Sequence, residues 1–426
     1  MNEEGWVLVV TPTKVAAHEM VSELRLGLQA TGVLLELGGG HKRISPNTPT
    51  IRVVSAAQLL EMSSGQISRS RNPQLRLVVC DGLEQLNPTY ELALSLLRLT
   101  EQTSLTRFIG ISASLNDAAD LAKWLGVESA SIHSFRPQDR DQSLVTSRQT
   151  FSMPYSVSLI KAMVKPAHRA IQDSPPGSSV LLFVPSRGQT RPIALDLITR
   201  CTLEMEIGRG YISESISDEL LAIYCVRLQD TTLFDFVQKG IGFFHLGISK
   251  ADRLLMLEMF AEGIIRVLIV PKDACWSVPI RATVVIVMGT QYIHVEGQET
   301  LRQIRDYTLT EVVRMQSRAI QQSGTGFFHL FCQAESLETY SRFLDEGLPL
   351  ESQLLDSQTF QEWVRSFYAA NQDKQHIVDV LSFTLLAHRV VSNPSYYGFT
   401  TRERDQNLSA IVDRIVDEIH RETAVT

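Results

Sequence analysis

Residues 38–42, GGGHK, form the segment whose composition most suggests phosphate binding. A phosphate loop needs glycines whose backbone N–H groups approach the phosphates, a lysine, and a helix that begins directly afterwards, in the spacing GxxxxGK[ST]. Here Arg43 and Ile44 are followed by a Ser-Pro pair instead of a helical pattern, and the spacing is absent. We therefore predict an ordinary turn at 38–42 and find no phosphate loop in the sequence.

The cysteines indicate neither a metal site nor a disulfide framework. None of the five stands in a CxxC pair, which argues against a zinc site and against a disulfide framework, and favours reduced residues in an intracellular protein. They are Cys80, Cys201, Cys225, Cys275 and Cys332. No Ser/His/Asp or Cys/His arrangement with a recognisable local signature supports a hydrolase or protease.

Length and charge limit the classes of function. The chain has 426 residues, 44% of them hydrophobic and 20% charged, which favours a globular protein of two to three domains. The N-terminus does not resemble a signal peptide, and no window approaches the roughly 18 apolar residues that a membrane helix needs. The formal net charge of −7 repels phosphate, so RNA binding would have to rest on a local groove.

Short apolar runs alternate with amphipathic stretches over most of the chain. Nearly continuous apolar runs of strand length are typical of strands buried on both faces of a parallel sheet. In the first part of the chain they are 6–10, 51–55, 75–80 and 108–112, with helical patterns at 15–28, 87–99 and 117–125. The alternation restarts at 180–184, 241–245, 267–270, 284–288 and 327–331, with a helix at 251–261. We predict an α/β fold of two doubly wound lobes that face each other across a cleft.

Composition predicts the domain limits. Residues 136–178 are more polar and are broken by Pro137, Pro154, Pro166 and the SPPGS turn, which favours a linker. Strand-like runs stop at about 338. The predicted organisation is therefore a first lobe at 1–135, a linker at 136–178, a second lobe at 179–335 and a mostly helical domain at 336–426.

Three segments of the first lobe resemble motifs of superfamily 2 DExH RNA helicases. Residues 10–16, VTPTKVA, are similar to the PTKALA segment, which grips the RNA backbone. Residues 78–84, VVCDGLE, lie where the family has its DExH box, and residues 112–114, SAS, stand for the SAT triplet that couples the lobes.

The second lobe and the C-terminal region continue the resemblance in the same order. Similar to family motifs are 183–191 (FVPSRGQTR), 245–253 (HLGISKADR), 267–279 (VLIVPKDACWSVP) and 315–319 (MQSRA). Residues 343–352 and 393–397 resemble the winged-helix region of the branch in which two helicase cassettes follow each other in one chain. The pattern most resembles the degenerate C-terminal cassette of the spliceosomal branch. It implies two RecA-like lobes followed by a winged-helix region.

The resemblance also assigns site residues. It implies RNA-backbone contacts for Pro12, Thr13, Lys14, Arg187 and Thr190. Such loops use positively charged and polar groups to hold phosphates without reading sequence. For Lys14 and Arg187 the alternative is a plain solvated charge.

The departures from the family concern the catalytic groups. Asp81 matches the carboxylate that positions magnesium, whereas Gly82 stands at the base and Glu84 at the final histidine of the box. Arg318 matches the first arginine of the last motif, and Gln321 replaces the second. Loss of an arginine finger alone lowers phosphoryl-transfer rates by about 10³–10⁵. The resemblance therefore implies that no catalytic set is intact: Asp81, Glu84 and Arg318 are vestigial, and Asp81 with Arg318 forms either an ion pair or a weak nucleotide site.

The family's phosphate-loop strand has no counterpart here. It lies centrally in the first sheet of the family, so its absence would leave neighbouring strands with unpaired edges, which natural sheets avoid. We therefore expect the chain to be part of a longer protein, and the first lobe to be incomplete as given.

These observations leave three hypotheses. The first is a helicase cassette without ATP hydrolysis that acts as a scaffold and regulator of an adjacent active cassette in pre-mRNA splicing. The second is an active ATP-dependent RNA helicase whose start is missing. The third is a passive RNA-binding module. The first implies splicing proteins and the active cassette of the same chain as partners, weak RNA binding at most, no membrane and a nuclear location. It requires no cofactor, although residual ATP and Mg²⁺ binding at Asp81 stays open.

Overall fold

A computed structural model describes residues 5–29, 31–38, 49–64, 75–101, 106–205, 209–295, 302–371 and 373–425. Residues 39–42 of the turn predicted at 38–42 lie outside the described residues. The chain divides into two compact units. The first unit joins Met1–Arg136 to Glu346–Thr426, and the second unit is Pro137–Asp345.

The first unit contains a five-stranded parallel sheet in the order β2-β3-β1-β4-β5. The strands are β1 (Trp6–Thr11), β2 (Leu34–Leu37), β3 (Thr50–Ser55), β4 (Leu75–Cys80) and β5 (Arg107–Gly110). All but β2 follow the predicted apolar runs. Leu34–Leu37 is short and not buried, so it gave no strand signal.

Four helices accompany this sheet: α1 (Lys14–Leu28), α2 (Ala56–Ser64), α3 (Pro88–Thr100) and α4 (Ala119–Leu125). Thr13 caps α1 by accepting a hydrogen bond from Ala16 N, and Asn87 caps α3 in the same way. Ala17 and Val21 of α1 pack on Val9 and Val53 of the sheet. The helical spacing in the sequence therefore predicted the buried face of α1.

Strand β5 is an edge strand. Among the described residues it pairs only with β4, and its register places Ile109 beside Val79. Ile109 is 41% exposed and Ile111 is 47% exposed. Val79 of β4, beside Ile109, is partly buried against the cluster that Ala17 and Val21 of α1 form with the sheet.

The second unit contains a six-stranded parallel sheet in the order β6-β13-β10-β7-β9-β8, with a separate antiparallel hairpin of β11 and β12. Its strands are β6 (Ser143–Phe151), β7 (Val180–Val184), β8 (Ile241–Phe243), β9 (Val267–Pro271), β10 (Val284–Met288), β11 (Gln291–Val295), β12 (Arg302–Asp306) and β13 (Thr325–Gln333). Strands β7, β9 and β10 are buried at every residue, as expected for central parallel strands.

The helices of this part are α5 (Val157–Gln172), α6 (Thr190–Met205), α7 (Asp218–Cys225), α8 (Phe234–Val237), α9 (Lys250–Ala261), α10 (Leu309–Ser317) and α11 (Leu337–Glu346). Strand β6 and helix α5 correct the linker predicted at 136–178. Strand β6 pairs with β13 along its whole length, and α5 buries Leu159, Met163 and Ala167 in the core. Helix α5 continues through Pro166 because these apolar contacts stabilise it.

The C-terminal region consists of α12 (Gln358–Asn371), α13 (Lys374–Ser382), α14 (Leu385–Ser392) and α15 (Arg404–Val425). The predicted helical content is confirmed, whereas the winged-helix assignment stays a prediction. Within the first unit, Leu92 and Leu96 of α3 share one apolar core with residues such as Phe360, Leu381 and Ile411. Residues 346–426 therefore pack on the first lobe, and do not form the separate domain predicted for 336–426.

A buried polar network holds this packing in place. Glu91 of α3, 1% exposed, accepts hydrogen bonds from Ser352 Oγ at 2.7 Å and from Leu386 N at 2.9 Å. Burial raises the pKa of Glu91 to about 7. Arg389 of α14 donates to Asp120 of α4 at 2.8 Å and, through Nε, to Glu351 at 2.9 Å. These bonds give the carboxylates of Glu91, Asp120 and Glu351 hydrogen-bond partners where the two parts pack together.

No helix among the described residues is both long enough and apolar enough to cross a bilayer.

Candidate functional site

The turn after β4 holds the position at which the family has its catalytic base. Asp81 N donates to Val10 O at 2.9 Å, and Asp81 O accepts from Tyr90 Oη at 2.8 Å. Gly82 follows with φ 66° and ψ 41°, in the left-handed region. A Cβ at Gly82 would lie 2.9 Å from Pro12 Cγ. Both backbone conformation and packing therefore disfavour any side chain at this position.

The carboxylate of Glu84 is used inside the first unit. It accepts hydrogen bonds from Ala113 N at 3.0 Å and from Ser112 Oγ at 3.4 Å, and Gln85 Nε2 donates to its other oxygen at 3.1 Å. These bonds connect the turn after β4 to the SAS segment. Glu84 therefore acts as a structural link between two motif segments, and its lone pairs are largely occupied.

The SAS segment is also fixed on its other side. Ser114 Oγ donates to Phe135 O at 2.6 Å, and Ser114 O accepts from Leu348 N at 2.8 Å. A Cβ on Gly347 would lie 3.0 Å from Ser114 Oγ. Within the first unit, the start of the C-terminal region is thus joined to this motif segment by backbone hydrogen bonds.

The segment from Pro12 to Lys14 forms the start of α1. Pro12 is buried against Gly82, Thr13 is the exposed N-cap, and Lys14 is exposed at the first helical position. A helix N-terminus with a nearby lysine favours an anion, because its N–H groups and dipole are positive. The structure places Thr13 and Lys14 where solvent reaches them, and their contact with RNA stays a prediction.

In the second unit, basic residues follow the carboxyl ends of β7 and β8. Arg187 is exposed after β7, and its Cδ would lie 2.8 Å from a Cβ on Gly247, so its side chain crosses that glycine. His245 Nδ1 accepts from Gly247 N at 3.0 Å. Burial lowers the pKa of His245, and the Arg187 charge lowers it further. His245 is therefore neutral at physiological pH and orders the loop.

Further cations surround this loop. Arg191 Nη2 donates to Thr232 Oγ1 and lies 3.5 Å from Asp230 Oδ2, and Arg253 Nη1 donates to Ile248 O at 2.9 Å. Thr190 is buried, and its hydroxyl donates to Arg187 O at 2.8 Å. Arg187 is therefore exposed to solvent, and the hydrogen bond from the Thr190 hydroxyl holds the Arg187 carbonyl in place. The predicted role of Thr190 in RNA binding remains untested.

The last motif turns its polar side chains inward. Arg318 ends α10 and is 5% exposed, and its carbonyl accepts from Ala282 N at 2.9 Å. Gln321, at the place of the second arginine, donates from Nε2 to Ala282 O at 2.7 Å. Gln321 therefore serves the packing of the second unit. Asp81 and Arg318 lie in different units, and their pairing or joint nucleotide binding stays a prediction.

Lys272 was not among the predicted site residues, and its contacts lie within the second unit. It follows β9 directly, its Nζ lies 2.7 Å from Glu311 Oε1, and the same ammonium lies 4.0 Å from the ring centroid of Tyr292. Its side chain is 13% exposed. A lysine directly after a buried strand was a usable signal, but the tyrosine and the glutamate come from distant segments. The ammonium is neutralised within the unit.

Asp81 is the one vestigial metal ligand that the sequence proposed. Among the described residues, no group of three or more His, Cys, Asp and Glu side chains is placed to hold a metal ion. Magnesium is commonly bound by one or two carboxylates together with substrate phosphates. Asp81 would therefore hold Mg²⁺ only when a nucleotide supplied the other ligands.

Relatives cover most or all of the chain. The mouse U5 small nuclear ribonucleoprotein 200 kDa helicase is 28% identical over 443 residues, covering 100% of this chain and 20% of the relative. The Arabidopsis thaliana DExH-box ATP-dependent RNA helicase DExH14 is 33% identical over 361 residues, covering 82% of this chain and 16% of the relative. The chain belongs to the DExH RNA helicase family.

Other comparisons agree with this placement. The Schizosaccharomyces pombe pre-mRNA-splicing factor brr2 is 29% identical over 366 residues, covering 82% of this chain and 16% of the relative. The crystal structure of the Escherichia coli DEAH/RHA helicase HrpB matches with a TM-score of 0.54 at 16% identity, covering 86% of this chain and 41% of that one. This last likeness confirms the predicted fold class. No family model matches the chain. The chain spans about a fifth of the mouse relative's length.

Proposed function

We propose that this DExH-family chain is a helicase cassette that does not hydrolyse ATP, and that it acts as a scaffold and regulator of an adjacent active cassette in pre-mRNA splicing. The observation that carries the proposal is Gly82. The family's base position has a left-handed φ of 66°, and Pro12 occupies the space that a side chain would need. The sequence therefore has no general base at this position, and the backbone conformation together with Pro12 disfavours any side chain that could serve as one.

The other catalytic positions support the same conclusion. Glu84 is engaged with Ala113 and Ser112, and Gln321 is engaged with Ala282. Each residue has an internal structural partner in place of a nucleotide. Without a base and an arginine finger, phosphoryl transfer has neither an oriented water nor stabilisation of the transition-state charge. Residual binding of ATP with Mg²⁺ through Asp81 is compatible with this proposal.

The splicing context comes from the relatives. Their names include a U5 small nuclear ribonucleoprotein helicase and a pre-mRNA-splicing factor. On this basis the proposed partners are splicing proteins and the active cassette of the same polypeptide, and the proposed location is the nucleus.

The test is RNA-stimulated ATP hydrolysis. We expect no phosphate release above background from this chain with ATP, Mg²⁺ and single-stranded RNA, while a DExH helicase with an intact box serves as the positive control. The full-length protein that contains the chain should lose no turnover when Asp81→Asn is introduced. Turnover that Asp81→Asn abolishes would support the active-helicase alternative and reject the proposal.

A passive RNA-binding role is the second candidate, and the loop geometry after β7 favours it. Arg187, Arg191 and Arg253 surround His245 in a chain whose net charge is −7. A local cationic surface can bind phosphates despite the opposing net charge, with an affinity that falls steeply as salt rises. The absence of RNA binding at low salt would exclude this candidate.

A further inference from the structure

The chain passes between its two units twice. It leaves the first unit after Arg136 and returns to it at Glu346. Phe135, which is 67% exposed, stands immediately before the outgoing segment, and Leu348, which is 2% exposed, stands just after the returning one. These two residues are far apart in sequence, yet both form hydrogen bonds with Ser114 of the SAS segment.

Ser114 holds the two segments with different groups. Its hydroxyl donates to Phe135 O at 2.6 Å, whereas its carbonyl accepts from Leu348 N at 2.8 Å. Asn116 N donates in turn to Leu348 O at 2.9 Å, and Leu115 and Leu348 form a parallel β-bridge. The side chain of Ser114 therefore fixes the outgoing segment, and the backbone around it fixes the returning segment.

Gly347 permits the close approach of the returning segment. Its φ is 104°, in the region that favours glycine, and a Cβ there would lie 3.0 Å from Ser114 Oγ and 3.1 Å from Leu115 C. Any larger residue at 347 would have to displace the returning segment or the Ser114 hydroxyl. The two hydrogen bonds of Ser114 thus lie side by side.

Glu84 holds the SAS segment from the side of the turn after β4. Its carboxylate accepts from Ala113 N at 3.0 Å, one residue before Ser114. The turn at Gly82, the SAS segment and both chain segments are therefore joined by one series of hydrogen bonds. Contiguous groups of this kind open locally as cooperative units, well below the free energy of global unfolding.

We propose that Ser114, Phe135, Gly347 and Leu348 form a conformational anchor, named here the Ser114 anchor, that holds and releases both connections between the units together. Glu84 is a positioning residue for this anchor. The inference rests on the proposed function only for its use, because a cassette that does not hydrolyse ATP retains its box residue Glu84 as a structural link. The anchor itself requires neither nucleotide nor RNA.

The first test is chymotryptic cleavage after Phe135, followed by mass spectrometry of the fragment that ends there. Cleavage requires local opening, and its rate follows the population of the open form. Ser114→Ala removes one hydrogen bond and should accelerate this cleavage roughly fivefold. Ser114→Thr keeps the hydroxyl and should retain the wild-type rate. An unchanged rate in Ser114→Ala would overturn the proposal.

Ser22→Ala is the matched control for the loss of a serine hydroxyl. Ser22 Oγ donates to His18 O at 3.0 Å on α1, in the same unit but outside the anchor. This variant should leave cleavage after Phe135 unchanged. Circular dichroism and thermal unfolding check that each variant keeps the wild-type fold. Equal acceleration by Ser22→Ala and Ser114→Ala would show general loosening of the unit and contradict the anchor.

The second test asks whether the two segments open together. Ser114→Ala leaves the backbone carbonyl that accepts from Leu348 N in place. Hydrogen exchange of the Leu348 amide, measured by mass spectrometry of overlapping peptides, should nevertheless become several times faster in this variant, because both segments belong to one opening unit. Exchange at Leu348 that stays at the wild-type rate would mean that the segments open independently, and the proposal would fail.

A pair of glycine variants tests the anchor without altering Ser114. Gly347 and Gly398 both have a left-handed φ, 104° and 77°, but a Cβ on Gly398 would meet nothing within 4 Å. Gly347→Ala should accelerate cleavage after Phe135, whereas Gly398→Ala carries the backbone strain alone and should not. The same cleavage rate in both variants would assign the effect to strain and reject the anchor.

Glu84→Ala tests the positioning role. It removes the acceptor of Ala113 N and should accelerate cleavage after Phe135 less than Ser114→Ala does, by roughly twofold. A wild-type rate in Glu84→Ala would contradict this role. No measurement in this series involves ATP, so failure of the anchor leaves the proposed loss of hydrolysis standing. Turnover in the ATPase assay would likewise leave the cleavage and exchange results unchanged.

Discussion

In the first unit the loop after β4 turns at Gly82 with a positive φ against Pro12, whereas in the second unit the loops after β7 and β8 keep Arg187 exposed over Gly247. In the second unit the change from the family pattern lies in side chains, such as Gln321, which bonds Ala282 O. At position 82 the backbone conformation and Pro12 disfavour a side chain, whereas at position 321 the side chain forms a hydrogen bond inside the second unit.

The two units also differ in how deeply their arginine ion pairs are buried. Arg389 of the first unit is 14% exposed and bridges Asp120 and Glu351. Arg227 of the second unit is 48% exposed and pairs with Glu258 at 2.6 Å. The nitrogen–oxygen distances are similar in the two units, but solvent screens the Arg227–Glu258 pair far more than the ion pairs of Arg389.

The largest expected effect is that of Arg389→Ala. Removing Arg389 takes away the guanidinium that bridges two largely buried carboxylates, which should lower the free energy of unfolding by about 3–5 kcal/mol. Asp120 keeps Lys123 at 3.5 Å, and Glu351 keeps hydrogen bonds from Asn393 and Tyr397. Urea unfolding followed by tryptophan fluorescence measures this, since Trp124 donates to Phe383 O in the same packing. Arg227→Ala is the matched control and should change stability little. Similar losses of unfolding free energy for both variants would contradict the inferred difference in burial between the two ion pairs.

The second prediction concerns pH and Glu91. Its pKa is raised from 4.5 to about 7, because burial disfavours the charged carboxylate more than its hydrogen bonds favour it. The folded state therefore favours the protonated form of Glu91. The contribution of this protonated carboxyl to the free energy of unfolding is fully present below pH 4.5 and is lost as the pH rises towards 7. We expect wild type to lose on the order of 3 kcal/mol across that window relative to Glu91→Gln. Parallel stability curves for the two proteins would refute the assignment.

The third prediction tests the steric constraint at Gly82 directly. Gly82→Glu places a side chain at φ 66° and close to Pro12, and should destabilise the chain by about 1–3 kcal/mol without restoring ATP hydrolysis. Gly82→Ala should show most of the same loss in thermal unfolding, because the strain arises at the backbone and Cβ.

Gln321→Arg is the counterpart in the second unit. It removes one hydrogen bond to Ala282 O and should lower stability by only about 1 kcal/mol. If Gly82→Glu is tolerated as well as Gln321→Arg, then the backbone of the first unit is not the barrier that we infer.

The smallest expected effect concerns RNA. If the second unit binds RNA through its cationic loop, Arg187→Ala should reduce the slope of log affinity against log salt by roughly one. Anisotropy titrations of labelled single-stranded RNA across a salt series give this slope. Lys14→Ala tests the first unit in the same way, and an unchanged slope for both variants would place RNA binding elsewhere or exclude it.

The sequence by itself determined the elements that depend on local pattern. The continuous apolar runs predicted β1, β3, β4 and β7, because a strand buried on both faces has few polar positions. The Asn-Pro pair at residues 87 and 88 marked the start of α3. The replacements at Gly82 and Gln321 were also visible in the sequence, since motif order fixes their positions.

Only the tertiary structure decided what depends on distant partners. The prolines between 136 and 178 suggested a linker, yet pairing of β6 with β13 and packing of α5 place that segment in the second unit. The contact of Pro12 with Gly82 and the bonds of Glu91 to Ser352 and Leu386 join residues far apart in the chain. Local pattern sets which elements form, but burial energy and hydrogen bonding between remote segments select how they pack.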